Sequence, residues 1–288
     1  MVIPQPRAFS LQDFKILAEK PPKYKEIMYF FMRKSLEMFG PLSDGMNIGL
    51  KHGFDSGISL DYVYRNKAHG KFLIGTIIDF FYLRSTGWKG IRHRKAHLKT
   101  VLRKTIETLQ AHGQQPVILD CAAGCGRYLF ETANEMGKPI DIHLRDINPY
   151  NLDVAKETAD NLNVKTATFS RVDAFDTHSY SGLDFQPNIV IVSGLFELFS
   201  NNELLHTTLS GIKNVMQKSG YILYTGQPWH PQLEIIARVL NNHLGRRWIM
   251  RTRVQAELDE LVQYVGFNKL DTVIDDLGIF TVSIARNE

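Results

Sequence analysis

From residue 116 onward, strand-like segments alternate with longer amphipathic ones, and no other feature constrains the fold as strongly. The strand-like segments are 116–121, 140–147, 165–172, 187–194, 220–226, 266–274 and 277–287. Strands that alternate with helices form a parallel sheet with helices on both of its faces. No helix separates the last two segments, so we expect them to form an antiparallel hairpin. The prediction is an α/β fold with a seven-stranded, mostly parallel sheet.

The sequence before residue 116 predicts helices with irregular joints. The longest, expected over about 88–111, carries a stripe of residues within about 60° of arc, which indicates a buried face. These residues are Ile91, Leu98, Leu102, Thr105 and Leu109. Segment 41–57 is rich in glycine and is expected to be a loop. We therefore divide the chain into a helical extension, 1–115, that covers and shapes the site, and an α/β domain, 116–288.

The charge of the chain is distributed unevenly between these two parts. Residues 1–115 carry 19 Lys and Arg against 9 Asp and Glu, whereas residues 116–288 carry 15 against 21, for a net charge of +4. Four basic residues lie on one side of the helix at 88–111, namely Arg92, Lys95, Lys99 and Arg103. This side is either solvated or directed toward an anionic membrane surface. Nucleic acid is a disfavoured partner, because no aromatic platform accompanies the charges.

Composition excludes several classes of protein. Apolar residues make up 44% and charged residues 22% of the 288 positions, which is typical of a globular chain and excludes a disordered one. Cys121 and Cys125 form no disulfide framework, and their neighbourhood supplies no further metal ligands. The N-terminal sequence lacks the apolar run of a secretory signal, and segment 72–83 is too short to span a membrane. We expect a cytoplasmic protein that makes at most peripheral contact with the inner face of a membrane.

A glycine-rich turn follows the first predicted strand. Asp120 ends that strand, and Gly124 and Gly126 precede a helix. Glycines let the backbone approach a ligand, and the N-terminus of a helix offers free N–H groups. The dinucleotide-binding pattern would place a third glycine where this chain has Leu129. The phosphate-loop pattern would require Gly-Lys-Ser/Thr, which is absent here, so both nucleotide patterns are disfavoured.

The segment VILDCAAGCG resembles the first motif of class I S-adenosylmethionine-dependent methyltransferases, with Ala122 where the first glycine usually stands. In that family an acidic residue at the end of the second strand holds both ribose hydroxyls, and Asp146 follows Gly124 by 22 residues here. An acidic residue after the third strand accepts the adenine amino group, and Asp173 has that place. The resemblance covers about 116–285 and implies a Rossmann-like class I methyltransferase fold. It also implies S-adenosylmethionine as cofactor and S-adenosylhomocysteine as product.

The same resemblance implies a set of cofactor-binding residues. One of them, Asp120, is expected near the ammonium group of the ligand. The set is Asp120, Ala122, Gly124, Gly126, Asp146, Ile147, Asn148, Asp173, Ala174, Phe175 and Ser193. A narrower resemblance extends over most of the chain, because GFDSGISLDYVYRN, SGLFELF and YTGQPWHPQLEIIARVLNNH are similar to a largely uncharacterised methyltransferase family. Some members of that family are fused to α/β-hydrolase domains, and the likeness implies little about the substrate.

Candidates for contact with the methyl acceptor follow the fourth and fifth strands. Methyltransferases that act on the amino groups of nucleobases or glutamine often carry Asn/Asp-Pro-Pro-Tyr/Phe after the fourth strand. This chain has SGLFE there, which disfavours that subclass. Glu197 is a candidate base or a binding group for a cationic acceptor, and the alternative is a solvated carboxylate. Trp229 is a candidate pocket wall and His230 a candidate proton carrier, and the alternative for both is packing between two prolines.

Two tyrosines of the helical extension complete the set of candidates. Tyr62 and Tyr64 are expected near the cofactor or the substrate, because the face of a tyrosine ring attracts a cation such as a sulfonium. The alternative for both is a place in the core. A general base is needed only if the accepting atom is protonated at the working pH. The catalytic candidates are therefore Glu197, His230 and Tyr64, and the substrate candidates are Tyr62 and Trp229.

The sequence as a whole predicts in-line transfer of a methyl group from S-adenosylmethionine to a small-molecule or lipid-like acceptor. Rate enhancement in such a reaction comes mainly from holding the acceptor in line with the methyl carbon. Alternatives are a catalytically silent protein that binds the cofactor and regulates a partner, an RNA methyltransferase, and a nicotinamide-dependent oxidoreductase.

Overall fold

The computed structural model describes residues 8–288 and has a seven-stranded sheet at its centre. The strands are β1 (Val117–Cys121), β2 (Asp141–Asp146), β3 (Ala167–Arg171), β4 (Ile189–Val192), β5 (Tyr221–Gly226), β6 (Phe267–Ile274) and β7 (Thr281–Asn287). Their order is β3-β2-β1-β4-β5-β7-β6. The first five strands are parallel, and β7 is antiparallel to both of its neighbours. The predicted sheet and its closing hairpin are confirmed.

Twelve helices are found within residues 8–288. They are α1 (Ala8–Ala18), α2 (Lys23–Phe39), α3 (Asp44–His52), α4 (Gly57–Arg65), α5 (Phe72–Leu83), α6 (Thr86–Ala111), α7 (Arg127–Met136), α8 (Pro149–Asn161), α9 (His178–Ser181), α10 (Asn202–Val215), α11 (Leu233–Val239) and α12 (Gln255–Tyr264). Short 3₁₀ turns occur at Gly40–Leu42 and Phe196–Leu198. Six of these helices, α1 to α6, precede the first strand.

The sheet is buried on both faces because successive side chains of a strand point to opposite sides. Ile118 of β1 packs in one core with α6, α7 and α8, and its neighbour Leu119 packs in a second core with α10 and α12. Leu98 and Leu102 place the predicted stripe of α6 in the first of these cores. The boundary predicted at residue 116 lies in the connection between α6 and β1. The first core includes residues from both sides of this boundary.

Three of the four basic residues predicted on one side of α6 are paired with α7. Lys95 and Lys99 contact Glu131 at 2.8 and 3.0 Å, and Lys99 contacts Glu135 at 2.6 Å. Arg103 also pairs with Glu135. These ion pairs join two helices that cover the same face of the sheet. This side of α6 is therefore an interhelical contact, and the membrane hypothesis that rested on its free charges loses its basis.

The expectation of a loop over 41–57 is wrong, because the segment contains the helix α3. Gly45 and Gly49 lie four residues apart on its buried side. A Cβ on Gly49 would lie 2.4 Å from the ring of Phe54, and one on Gly45 would lie 2.6 Å from a tyrosine ring. The glycines therefore allow close packing against aromatic side chains and do not break the helix.

A third core joins the helical extension to the end of the α/β domain. Trp88 of α6 stacks on Trp248, with ring centroids 6.3 Å apart. Ile91, Ile236 and Phe280 pack in the same cluster. The extension is therefore packed against the α/β domain through an apolar contact of its own.

Within residues 8–288, no helix has both the length and the apolar character that a bilayer crossing requires. The same part of the chain contains no group of three or more His, Cys, Asp or Glu arranged to hold a metal ion. Cys121 and Cys125 are free and buried, and burial raises the pKa of the Cys121 thiol to about 12. At neutral pH this thiol is protonated and unreactive.

One buried carboxylate connects α3, α4 and α5. Asp79 is fully buried and accepts hydrogen bonds from the Ser43 hydroxyl at 2.6 Å and the Gly45 N–H at 2.9 Å. It also accepts from the Tyr62 hydroxyl at 2.5 Å and the His69 N–H at 3.0 Å. A carboxylate without solvent is tolerated only when its oxygens are satisfied in this way. Asp79 therefore organises the polar centre of the extension.

We expect Asp79→Ala to lower the free energy of unfolding by about 3 kcal/mol, because four donors, three of them buried, would lose their acceptor. Urea denaturation followed by circular dichroism measures this change. Asp160→Ala, at an exposed position of α8, is the matched control and should change the free energy by less than about 0.5 kcal/mol. Equal stability of the two variants would contradict the role assigned to Asp79.

Candidate functional site

A cleft of about 330 Å³ lies beyond the carboxyl ends of β1 to β4, where open α/β sheets bind ligands. The turn after β1 forms its floor, and Ala122, Gly124 and Gly126 all have left-handed backbones there, with φ of 58°, 59° and 60°. Glycine adopts this conformation without a penalty, whereas alanine does not. The alanine at the position of the usual first glycine therefore keeps the backbone shape of the turn at a cost in local strain.

Asp146 fixes the shape of this turn from the end of β2. Its Oδ2 accepts a hydrogen bond from the Gly124 N–H at 2.8 Å. Its Oδ1 accepts from the Asn148 N–H at 2.8 Å and from the Asn151 side chain at 3.0 Å. The carboxylate is therefore bound to three donors, and it lines the cleft at the same time.

The structure brings together ten of the eleven residues predicted to hold a cofactor. All ten line the cleft, and they come from the segments that follow β1, β2, β3 and β4. They are Ala122, Gly124, Gly126, Asp146, Ile147, Asn148, Asp173, Ala174, Phe175 and Ser193. The Oδ1 of Asp173 accepts a hydrogen bond from the Phe175 N–H at 2.9 Å, which turns the backbone after β3. The Phe175 ring packs edge-on against Phe199, with centroids 4.5 Å apart.

The eleventh predicted residue, Asp120, lies behind the turn and does not line the cleft. Its side chain is fully buried and accepts a hydrogen bond from the Tyr128 hydroxyl of α7. Burial raises the pKa of Asp120 to about 8, so this carboxyl keeps its proton at neutral pH. A neutral carboxyl behind the turn does not offer the negative charge that was expected for a ligand ammonium group.

The helical extension contacts the glycine turn directly. A Cβ on Gly57, at the start of α4, would lie 2.6 Å from the Cα of Gly124, so the two backbones touch. Asp61 of α4 is buried and accepts a hydrogen bond from the Arg127 Nε at 2.5 Å, at the start of α7. Arg65 also pairs with Asp61 at 3.2 Å. These contacts hold α4 over the cleft.

A loop near the end of the chain forms another wall of the cleft. His243 lies in this loop, and its backbone N–H donates to Asp55 Oδ1 at 2.6 Å. Its ring Nδ1 lies 2.9 Å from the other oxygen of Asp55. The hydrogen bond with Asp55 raises the pKa of His243 above its usual value. The pair ties the late loop to the segment before α4, so both cover the cleft together.

A second cavity of about 180 Å³ adjoins the cleft and is mostly apolar. Its wall includes Trp88, Trp248, Met250, Ile236 and Phe280. It also includes several polar side chains, which are Arg94, Glu197, Gln227, His230 and Gln232. The residues that line both spaces are Asp55, Leu60, Arg94, Gly194 and Leu198. The two spaces therefore meet beside Arg94, in the N-terminal half of α6, and beside the segment that follows β4.

A buried ion pair occupies this meeting point. Arg94 Nη1 lies 3.0 Å from Glu197 Oε1, with only 2% and 6% of the two side chains exposed. The guanidinium also contacts the Tyr64 hydroxyl at 3.4 Å. A Cβ on Gly194 would lie 3.2 Å from the guanidinium, so the glycine leaves it room. Arg94 Nε and Glu197 Oε2 are buried without a hydrogen-bond partner.

The loop that carries Glu197 is held by two arginines. Arg253 donates to the carbonyl oxygens of Phe196 at 2.5 Å and Phe199 at 2.6 Å. The backbone N–H of Arg251 donates to the carbonyl oxygen of Glu197 at 2.9 Å. Burial, together with the neighbouring Arg251, lowers the pKa of Arg253 to about 9, which still leaves it charged at neutral pH. Glu197 therefore sits on a rigid support.

His230 lines the second cavity as a neutral ring. Burial lowers its pKa to about 4, although Asp275 partly opposes this shift. The ring Nδ1 accepts a hydrogen bond from the Gln232 N–H at 3.1 Å. Because Nδ1 is the acceptor, the neutral ring carries its proton on Nε2. In this form the Nε2–H of His230 is a hydrogen-bond donor.

The remaining three candidates have different places. Tyr64 lines the cleft and contacts Arg94. Tyr62 lines neither space, because its hydroxyl donates to the buried Asp79 in the extension. Trp229 is 53% exposed and lines neither space, whereas its neighbour His230 points inward. Of these three candidates, Tyr64 therefore lies at the site, whereas Tyr62 and Trp229 lie away from it.

Sequence reasoning missed Arg94, Gln227 and His243. Arg94 lies between Ile91 and Leu98 on the apolar stripe of α6, and a charge within such a stripe is a signal of a buried polar contact. Gln227 Nε2 is buried without a partner at the second cavity, but nothing in its local sequence distinguishes it. His243 reaches the cleft through a loop whose path depends on tertiary packing.

Comparisons with known proteins agree with this geometry. Residues 5–287 match the family described as "Putative methyltransferase". A protein of Escherichia coli K12 named YnbC, described as uncharacterized, is 43% identical over 262 residues. The match covers 90% of this chain, but the chain spans only 45% of the length of that relative.

Solved structures share the fold at low sequence identity. A possible exported protein from Bordetella parapertussis has a TM-score of 0.67 at 16% identity, over 96% of this chain and 93% of its own. Magnesium protoporphyrin IX methyltransferase from Synechocystis, with bound S-adenosylhomocysteine, has a TM-score of 0.56 at 15% identity, over 85% and 100%. The chain belongs to the family described as "Putative methyltransferase" and has the class I fold of S-adenosylmethionine-dependent methyltransferases.

Proposed function

We propose that this chain transfers a methyl group from S-adenosylmethionine to an apolar or amphiphilic small molecule. One observation carries the proposal, which is that the cleft at the strand ends and a mostly apolar cavity lie side by side and share Arg94 in their walls. A methyl donor in the first space and an acceptor in the second would meet beside the buried ion pair.

The residues of the cleft fit the cofactor. Gly124 and Gly126 provide a backbone surface without side chains at the start of α7, which suits close approach of a ligand. Asp146 provides a carboxylate at the place where ribose hydroxyls are bound in the resembled family. Asp173 and Phe175 provide a polar group and an apolar ring at the place of the adenine. When bound, S-adenosylmethionine supplies an electrophilic methyl group, and the residues of the chain position it and exclude water.

The second cavity sets the chemical class of the acceptor. Its aromatic and aliphatic wall favours an apolar body, because burial of apolar surface contributes about 25 cal/mol per Å². The unpartnered Gln227 Nε2 and Trp248 Nε1 are donors, whereas Glu197 Oε2 is an acceptor. An acceptor that leaves these atoms unpaired is disfavoured, because each buried unpaired group costs about 1–3 kcal/mol. We therefore infer an apolar molecule with a small polar end.

Three side chains would have separate roles at the polar end of the acceptor. Glu197 Oε2 would hold the proton of the accepting atom, or attract the atom if it is cationic. Arg94 would keep the Glu197 carboxylate oriented through its 3.0 Å contact. His230 would donate from Nε2 and orient a second polar atom, since its lowered pKa opposes protonation. Orientation of this kind accounts for most of the rate enhancement that methyl transfer requires.

We expect Asp146→Ala to weaken binding of S-adenosylhomocysteine at least tenfold, about 1.4 kcal/mol or more. The change removes the carboxylate from the cleft and releases the Gly124 N–H from its acceptor. Isothermal titration calorimetry measures the dissociation constant. Asp153→Ala, at an exposed position of α8, should bind like the wild type. An unchanged constant for Asp146→Ala would exclude the proposed cofactor site.

We expect label from methyl-labelled S-adenosylmethionine to enter the chloroform phase when the protein acts on a whole-cell extract. Glu197→Gln should lower this transfer at least tenfold and change S-adenosylhomocysteine affinity less than threefold, because Glu197 lies in the second cavity alone. Scintillation counting of the two phases measures the transfer, and thermal unfolding checks that the variant is folded. Label in the aqueous phase would contradict the acceptor class. Cofactor binding without transfer to any fraction would favour a silent regulator.

His230 should give the protein a specific dependence on pH. Its pKa is about 4 in the folded chain and about 6.5 when unfolded, so the unfolded state binds more protons between these values. Its contribution to stability is present above pH 6.5 and is lost as the pH falls toward 4. Relative to His230→Gln, the wild type should lose about 2 kcal/mol more on going from pH 7.5 to pH 5. Urea denaturation of both proteins at pH 7.5 and pH 5 measures the free energy of unfolding. An identical pH dependence of this free energy in the two proteins would contradict a neutral His230.

A further inference from the structure

The outer side of α5 is an apolar surface that no part of residues 8–288 covers. On the wheel of this helix, five side chains fall within about 120° of arc. They are Leu73, Ile74, Ile77, Phe80 and Phe81, and all are exposed, with 77% of Leu73 and 67% of Phe81 accessible. The opposite side carries Asp79 and Leu83, which are buried in the extension. We call this outer side, together with Phe72, the α5 surface.

Phe72 extends the surface at the start of the helix in a strained conformation. Its φ is 57°, in the left-handed region that bulky residues rarely adopt. Its side chain is 82% exposed, so no burial within the described chain offsets the strain. Strain in a folded protein persists where the surrounding structure enforces it, and it is concentrated at functional segments. The aromatic ring is thus held outward at the tip of the α5 surface.

Basic side chains surround this surface. Lys67 and Lys71 precede α5, and Arg84 and Lys89 follow it, all four exposed. The single acidic residue in 66–92 is Asp79, which is buried. The surface therefore combines a fully apolar centre with a positive border at both ends of the helix. The cores of protein interfaces are also apolar, but lysine is depleted there.

The helix α2 presents a second apolar side. Tyr24, Ile27, Phe31 and Met38 fall within about 60° of arc on its wheel, and all four are exposed. Leu36 of α2 and Tyr82 of α5 line the second cavity. The helices that expose apolar surface to solvent are therefore also helices that wall the proposed acceptor site.

We propose that the α5 surface docks on an anionic lipid bilayer, with α5 lying in the plane of the interface. A helix of 12 residues is about 18 Å long, well short of the ~30 Å hydrocarbon core, so it lies on the membrane and does not cross it. An apolar helix side inserts into the headgroup region, while neighbouring Lys and Arg contact anionic lipids. The proposal does not depend on methyl transfer or on cofactor binding.

Flotation with vesicles of phosphatidylcholine containing 30 mol% phosphatidylglycerol tests this docking with the whole chain. The wild type should float with these vesicles. The triple variant Leu73→Gln/Ile77→Gln/Phe81→Gln should lower the partition coefficient at least tenfold, because it removes the centre of the apolar side. The double variant Leu270→Gln/Ile274→Gln is the matched control, since both residues are about half exposed on β6. It should bind vesicles like the wild type.

Charge is tested separately with Lys71→Gln/Arg84→Gln. Each basic residue near an anionic surface contributes about fivefold in affinity, so the double variant should bind about 25-fold more weakly. Vesicles of phosphatidylcholine alone should bind the wild type at least 25-fold more weakly as well. Equal binding to both vesicle types would overturn the role of the basic border.

Other occupants of the surface give distinct outcomes. Absence of flotation by the wild type would overturn the proposal. A dimer that dissociates in the triple variant, with no vesicle binding, would assign the surface to a second copy of this chain instead. Calorimetry with S-adenosylhomocysteine separates this test from the proposed function, because the triple variant should keep the wild-type dissociation constant. Loss of cofactor binding together with flotation would indicate misfolding of the triple variant, and Phe72→Gln then tests the surface alone.

Discussion

The packing of α6 on the sheet is the constraint on which the rest of the structure depends. Its C-terminal part, including Leu98 and Leu102, belongs to the same core as the central strands. Its N-terminal part, including Trp88 and Ile91, belongs to the core of the helical extension. One continuous helix therefore fixes the extension relative to the sheet. A change in the tilt of α6 would therefore move Trp88, Ile91 and Arg94, which α6 contributes to the wall of the second cavity.

The same helix explains why a charged side chain is tolerated in the interior. Arg94 lies where α6 passes from one core to the other, and this is the point at which the two cavities meet. A buried ion pair is rarely a source of stability, because desolvation of both charges offsets most of their attraction. Arg94 and Glu197 nevertheless keep atoms unpaired beside a cavity. A pair that is costly to bury and incompletely satisfied is better explained by a ligand than by folding.

The sequence predicted those features that depend on local pattern. The strand ends, the glycine turn and Asp146 follow from segments of fewer than ten residues, and the sheet order places them together. Such patterns do not report on neighbours that are distant in sequence. The partners of Lys99 are on α7, and Gly45 of α3 accommodates the ring of Tyr82 on α5, so neither the ion pairs nor the helix α3 was predicted.

The second cavity could not be predicted from the sequence for the same reason, because its residues are distant from one another along the chain. Its wall combines Leu36, Trp88 and Trp248, which lie more than 200 positions apart at the extremes and share no motif. Local signals existed only for single members of the site. Arg94 interrupts an apolar stripe, and His230 follows a strand end. Their common function becomes visible only when the packing of the extension brings them to one space.

The apolar cavity and the α5 surface are related by the low solubility of an apolar acceptor in water. An acceptor that fits the cavity is poorly soluble, because each exposed methylene group costs about 0.8 kcal/mol in water. Such a molecule is concentrated in lipid and scarce in solution. Helices that touch lipid on one side and wall the cavity on the other shorten the path of the acceptor through water. Tyr82 and Leu36 occupy this intermediate position. Membrane docking and methyl transfer are separate properties of the molecule, and an apolar acceptor is the chemistry for which their combination would be advantageous.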